Sequence, residues 1–132
     1  MAKGRFAAQV AEFERKTLAK LLRIIRIAAQ DVFADAQKPV GEGGRMPVDT
    51  GFLRNTAQSG LNGFTIGEGP DAYVLSLAQM NIGDTVYIVW TAEYARHVEY
   101  GTTRMPARFF MRGAAQKWQM FVNQAARKVM NE

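Results

Sequence analysis

The sequence predicts an α+β domain with a long N-terminal helix, a small antiparallel sheet of three to four strands, and a C-terminal helix packed on the sheet. Three observations support this prediction. Apolar residues recur at helical spacing near both ends, β-branched and aromatic residues concentrate in the middle, and Gly- and Pro-rich stretches separate these regions. The 132 residues suit a single domain over 1–132, since no internal repeat or composition boundary divides them.

The first helix is predicted from about Phe6 to Ala36, where two apolar stripes run along the chain. In the second half they cover more than half the circumference. This helix should therefore pack on two partners, such as the sheet and either the other helix or a neighbouring subunit. Glu12 and Lys16 are spaced for an ion pair. The stripes are Phe6, Val10, Phe13, Leu21, Ile24, Ala28 and Leu18, Leu22, Ile25, Ala29, Phe33.

A flexible loop is predicted at residues 37–51, because Gln37–Gly51 contains two prolines and four glycines. Its Gly-Glu-Gly-Gly run lacks the spacing of a dinucleotide-binding fingerprint and the Gly-Lys-Ser/Thr ending of a P-loop. Asp49 or Thr50 could cap a short helical turn over Phe52–Asn55.

Three strands are predicted after this loop, at Gly63–Ile66, Ala72–Gln79 and Thr85–Ala92, with a hairpin turn at Asn81–Asp84 between the last two. Both alternating sets of side chains in the last strand are apolar, so we expect it to be covered on both faces.

A final helix is predicted over roughly Ala107–Met130, with Pro106 able to open it, because a proline in the first turn gives up no helical hydrogen bond. Its apolar residues recur at three- and four-residue spacing, and we expect them to be buried. They are Phe110, Ala114, Trp118, Phe121, Val122, Ala125 and Val129.

The amino-acid composition excludes several classes of site and function. The chain has no cysteine, which excludes disulfides, thiolate nucleophiles and Cys-ligated zinc. Its N-terminus lacks the apolar core of a signal peptide, and its most apolar run carries three basic residues. We therefore expect a soluble protein made inside the cell, with no membrane partner.

The sequence contains few side chains in arrangements suited to catalysis. His97 is the only histidine, neither Ser59 nor Ser76 lies in a nucleophile-elbow sequence, and no His-x-x-x-His pair exists. We therefore expect no enzyme, no metal and no cofactor. His97 is expected to be a partly exposed residue that is hydrogen-bonded near a strand end.

The net charge of +5 is compatible with contact to nucleic acid or to acidic partner surfaces. Two rows of basic residues at three- to four-residue spacing suit a phosphate track if each lies on one helix face. The alternative is that they are solvated faces that keep the domain soluble. The rows are Lys16, Lys20, Arg23 on the first helix and Arg104, Arg108, Arg112 on an early-starting last helix.

Two segments resemble the head–tail connection and tail-completion (neck) proteins of long-tailed bacteriophages. The first reads Val-Asp-Thr-Gly-Phe-Leu and contributes Asp49, Thr50, Gly51 and Leu53. The second follows in the order typical of that family, although two prolines common there are replaced by Phe109 and Gly113. It contributes Tyr94, Ala95, Val98, Glu99, Tyr100, Gly101, Thr102, Pro106 and Phe110.

We interpret the second segment as a structural joint. Residues 94–100 should form a helical turn or an extended exit from the last strand, with Ala95, Val98 and Tyr100 facing the core. Glu99 should lie near the loop that contains residues 49–51 and accept backbone or hydroxyl hydrogen bonds. Gly101 should adopt positive φ and reverse the backbone.

The resemblance implies a structural virion protein that forms a ring at the neck, completes the tail or joins it to the head, and surrounds the DNA channel. It would be made in the host bacterial cytoplasm. Its partners would be its own copies, with six-fold symmetry expected and twelve-fold as the alternative, together with portal-side and tail-tube proteins. The loop at 37–51 would reach a neighbour, and the basic rows would face DNA or partner rings. The alternative function is that of a small basic nucleic-acid-binding protein.

Overall fold

The computed structural model describes residues 2–47 and 52–132 and confirms the α+β class. Its strands are β1 (Ala57–Leu61), β2 (Phe64–Glu68) and β3 (Val86–Trp90). A 3-10 turn occupies Val40–Glu42. The α-helices are α1 (Ala2–Ala36), α2 (Phe52–Asn55), α3 (Ala72–Gln79), α4 (Ala95–Tyr100), α5 (Phe110–Ala115) and α6 (Trp118–Met130).

The strands form an antiparallel sheet in the order β2-β1-β3. Asn62 and Gly63 join β1 to β2 with positive φ at both residues, as a type I′ hairpin turn requires. The central strand β1 was not predicted, because it lacks β-branched and aromatic residues. Its small residues fit the packing, since Tyr87 crosses Gly60 to place its hydroxyl 2.9 Å from that of Thr65.

The prediction of a strand over Ala72–Gln79 is wrong, because this segment forms α3. Its buried residues, Tyr73, Ser76 and Leu77, are spaced as one helix face, and Met80 continues that face. Leucine, alanine and glutamine favour helix, which outweighs the one β-branched residue, Val74. Asn81–Asp84 is consequently a turn between a helix and a strand, and not a hairpin.

Helix α3 covers one face of the sheet, where the hydroxyls of Ser59 and Ser76 lie 2.9 Å apart in the interior. On β3, Val86 and Ile88 pack towards this helix. Val89 points away from it and is 43% exposed. The prediction that β3 is covered on both faces is therefore wrong, and the second face of the sheet is partly open.

The second half of α1 has two partners, as predicted, but one of them is α3 in place of the sheet. Leu22, Ile25 and Phe33 pack on the cluster that contains α3 residues Tyr73 and Leu77. Helix α6 lies on another side of α1 and runs antiparallel to it. Lys117 pairs with Asp35 at 3.2 Å at one end, and Glu132 pairs with Arg23 at the other. Residues 2–22 of α1 therefore extend past the end of α6.

The C-terminal helical region begins at Phe110, so the predicted start at Ala107 is wrong, and it is interrupted at Gln116 and Lys117 before α6. Phe110 packs edge-on against Trp90 of β3, with ring centroids 4.9 Å apart, and this contact joins the helical region to the sheet. Ala114, Ala125 and Val129 are buried as predicted. Trp118 is 41% exposed, so its predicted burial is wrong.

The described part of the loop after α1 folds against the domain. Met46 is fully buried, and its carbonyl accepts the Val40 N–H at 3.0 Å. Met46 belongs to a core cluster with Leu53, Ala92 and other residues around α4 and α5. The described part of the loop thus contributes Gln37 and Met46 to the interior.

Candidate functional site

The resemblance segment from Tyr94 to Phe110 forms a joint between the sheet and the C-terminal helices, and its centre is Glu99. This side chain is 2% exposed. Its carboxylate accepts the backbone N–H of Met111 at 3.1 Å and that of Arg112 at 3.3 Å. Because these are orphan donors in the first turn of α5, Glu99 acts as the cap of that helix.

A cap from another helix is needed here because Phe109 occupies the N-cap position. Phe109 has a φ of +52° and no side-chain hydrogen bond to α5. Its own N–H donates to the Glu99 carbonyl at 3.1 Å, and the Arg108 N–H donates to the Val98 carbonyl at 2.8 Å. The prediction that Glu99 accepts backbone hydrogen bonds is confirmed, with the donors coming from α5.

The backbone reverses direction at Gly101, after α4. Its φ of +80° confirms the predicted positive value, and an added Cβ would lie 2.7 Å from the Ala107 nitrogen. The Thr102 hydroxyl then accepts the N–H groups of Arg104 and Met105, each at 3.2 Å. This turn directs the chain back along α4, and Pro106 lies within the loop, not at the start of a helix.

The apolar side of α4 is held by Val98, which is 5% exposed, and by the half-buried Ala95. The prediction that Tyr100 faces the core is wrong, since its side chain is 49% exposed. The Arg112 guanidinium lies over the Tyr100 ring, 4.9 Å from its centroid. Tyr94 is also largely exposed, at the position before α4.

An apolar groove lies beside this joint, between β3 and the helices α4 and α5. Its volume is about 250 Å³. Val89, Tyr100 and Met111 contribute exposed apolar surface to it, Arg96 lies at its edge, and the buried Glu99 lies on its wall.

Part of the upstream resemblance segment lies outside the described residues, namely Asp49, Thr50 and Gly51. The predicted proximity of Glu99 to these three residues is therefore not among the contacts that the structure describes. Leu53 follows them on α2, where it is 3% exposed and belongs to the same core cluster as Val98 and Phe110. Both segments thus contribute to one core.

The structure places the first basic row on one helix but divides the second between a loop and a helix. Lys16, Lys20 and Arg23 are exposed on α1 as predicted, but Lys16 lies 3.8 Å from Glu12 and Arg23 pairs with Glu132. The second row does not form on one helix. Arg104 and Arg108 lie in the loop before α5, while Arg112 stacks on Tyr100, because the helix begins too late for the predicted alignment.

The described residues bring together no group of three His, Asp or Glu side chains that could hold a metal ion. His97 is exposed on α4, and its backbone carbonyl accepts the Gly101 N–H at 2.7 Å. Every helix in the described part of the chain is too short or too polar to cross a bilayer.

A row of exposed apolar side chains lies on the arm, which we define as residues 4–21 of α1. Every side chain of the arm is exposed. Phe6 is 68% exposed and Phe13 is 73% exposed, and Val10 and Leu21 are about half exposed. Apolar patches of this kind are typical of interaction surfaces.

Comparisons of the chain with protein-family models, with curated proteins and with solved structures found no match.

Proposed function

We propose that this chain is a structural subunit of the neck of a tailed bacteriophage. It would form a ring that completes the tail or joins it to the head, with the DNA channel at the centre. The observation that carries the proposal is the Glu99 joint. The segment that resembles neck proteins uses its one buried carboxylate to hold the first turn of α5. The Glu99 carboxylate and the Thr102 hydroxyl hold the backbone of this segment in place, which suits a rigid building block.

Exposed apolar surfaces support assembly. The arm and the groove beside α4, on the open face of the sheet, both present large apolar side chains, including Phe13, Met111 and Val89. Two separate surfaces of this kind favour a subunit with more than one neighbour. We propose six-fold symmetry, with twelve-fold as the alternative, and neighbours from the portal side and the tail tube.

The alternative function, nucleic-acid binding by the basic rows, has less support. Arg23 is already paired, and the second row is divided between a loop and a helix. We therefore expect weak, nonspecific DNA contact, which is sufficient for a protein that surrounds a DNA channel. A steep decrease of DNA affinity with salt would instead favour the alternative.

Complementation tests the proposal directly. Cells that carry the encoding phage genome without this gene should produce heads and tails that remain unjoined or incomplete. Adding the purified chain to such a lysate should restore joined, infectious particles. Normal yields of infectious particles in the absence of the gene would overturn the proposal.

A variant of the exposed His97, His97→Ala, should complement as well as the unmodified chain. Its failure despite a native fold would indicate chemistry at this residue.

A further inference from the structure

The apolar stripe of the arm continues the stripe that α6 covers. At 100° per residue, Phe6, Val10 and Phe13 fall within about 60° of Ile24 and Ala28 around the helix. Ala28 is fully buried. The same side of α1 carries Asp31 and Asp35, which face Lys128 and Lys117 of the C-terminal region.

The covering helix ends where the arm begins. Glu132, just past α6, pairs with Arg23, so α6 covers the stripe only from there towards Ala36. The arm beyond it is about 27 Å long at 1.5 Å per residue. One more helix of that length, placed end to end with α6, would complete the cover of α1.

We propose that the arm of a second copy of this chain is that helix, so that two arms pack antiparallel about a two-fold axis. The register that places Val10 opposite the partner's Phe13 has its midpoint between residues 11 and 12. In this register the tip of each arm, Gly4, lies opposite Ala19 of the other copy. Each arm therefore ends near the point where α6 of the other copy ends, and it runs in the same direction as that α6, antiparallel to the α1 that both cover.

The buried area fits a small, stable interface. A phenylalanine buries roughly 150–250 Å². Phe6 and Phe13 are each about 70% exposed, while Val10 and Leu21 are about half exposed. Each arm thus offers roughly 350–500 Å², so the pair buries up to about 1,000 Å², close to the lower limit for a specific contact between proteins.

This contact goes beyond the proposed neck ring and does not depend on it. A ring requires head-to-tail contacts, whereas the arm pair is two-fold and uses the same surface on both copies. The two ideas can therefore fail separately. The phage complementation experiment addresses the ring, and the mass of the purified protein addresses the arm pair.

Sedimentation equilibrium of the purified chain tests the pairing. We expect a dimer of the 14.7 kDa chain at micromolar concentration. Phe13→Ser removes an aromatic anchor from both copies, so we expect the dimer Kd to rise by about 100-fold or more. Phe64→Ser is the matched control. It removes an equally exposed phenylalanine, 79% exposed on β2, and should leave the Kd unchanged.

A distance measurement tests the orientation. Because the chain has no cysteine, Gly4→Cys introduces a single site for a spin label, at a position with open space around it. The antiparallel register places the two copies of residue 4 about 24 Å apart, from 15 residues of helix rise and about 9 Å between axes. A parallel pair would place them only about 10 Å apart.

A monomer at micromolar concentration would overturn the proposal. So would a dimer whose Kd responds to Phe64→Ser and not to Phe13→Ser, because its contact would lie on the sheet. A label separation far from 24 Å in a dimer that Phe13→Ser dissociates would also overturn it. Such a result would indicate parallel arms or an arm bound in the groove of the partner.

Discussion

The cap that Glu99 provides can be tested by Glu99→Ala. This change removes the acceptor for the N–H groups of Met111 and Arg112 and leaves the rest of the joint in place. Loss of an N-cap acceptor costs about 1–2 kcal/mol, and hydrogen bonds to a charged group contribute about 1.5–3 kcal/mol each. Because these bonds are long, at 3.1–3.3 Å, we take the lower ends of the ranges.

The expected loss is about 2–3 kcal/mol in the free energy of unfolding, or roughly 10 °C in Tm for a chain of this size. Urea unfolding should be followed by far-UV circular dichroism and by the fluorescence of Trp90, which contacts Phe110 of α5. Trp118→Phe provides a background in which Trp90 is the only tryptophan.

The matched control is Glu93→Ala, which removes an exposed glutamate two residues before α4. It should change stability by less than about 0.5 kcal/mol. Glu99→Gln keeps one acceptor oxygen without the charge and should fall between the two. Equal stability of Glu99→Ala and Glu93→Ala would refute the claim that the carboxylate holds α5.

Four further changes test other parts of the structure. Gly101→Ala should lower stability by at least about 2 kcal/mol in urea unfolding, because of its positive φ and the 2.7 Å approach to Ala107. Gly4→Ala, in open space on α1, should instead stabilise the protein slightly, by up to about 1 kcal/mol. Gly60→Ala places a Cβ 2.0 Å from a backbone oxygen of β2, so strand pairing should be disrupted, as amide hydrogen exchange would detect. Burial raises the pKa of Asp31 above its usual value of 3.8, so ionisation of this carboxyl opposes folding as pH rises through that raised pKa. Asp31→Asn should therefore raise the Tm at pH 7, and the gain should disappear as the pH falls below about 3.8.

Sequence periodicity predicts the helices at both ends of the chain, because each has a long apolar stripe that only one kind of local structure explains. The secondary structure of the middle third of the chain is harder to predict from the sequence. Ala72–Gln79 is rich in apolar residues on both alternations, and in so short a segment a buried helix and a buried strand look alike. The Asn62-Gly63 pair was the available signal for the first hairpin, and it points to β1 despite the composition of that strand.

The joint is predictable in part. Gly101 has the expected positive φ, and Glu99 accepts backbone hydrogen bonds as expected. The donors to Glu99 are not predictable, because they are backbone groups of Met111 and Arg112 that only the fold brings close. The exposure of Phe6 and Phe13 is also hidden, because an apolar stripe does not reveal where the helix that covers it ends.

Immunogold electron microscopy of tailed particles, with an antibody raised against this chain, tests the central claim most directly. The account predicts label concentrated at the head–tail junction under conditions that expose the neck. Intact tailed particles with an accessible neck and no label there would contradict the proposal that this chain is a neck subunit.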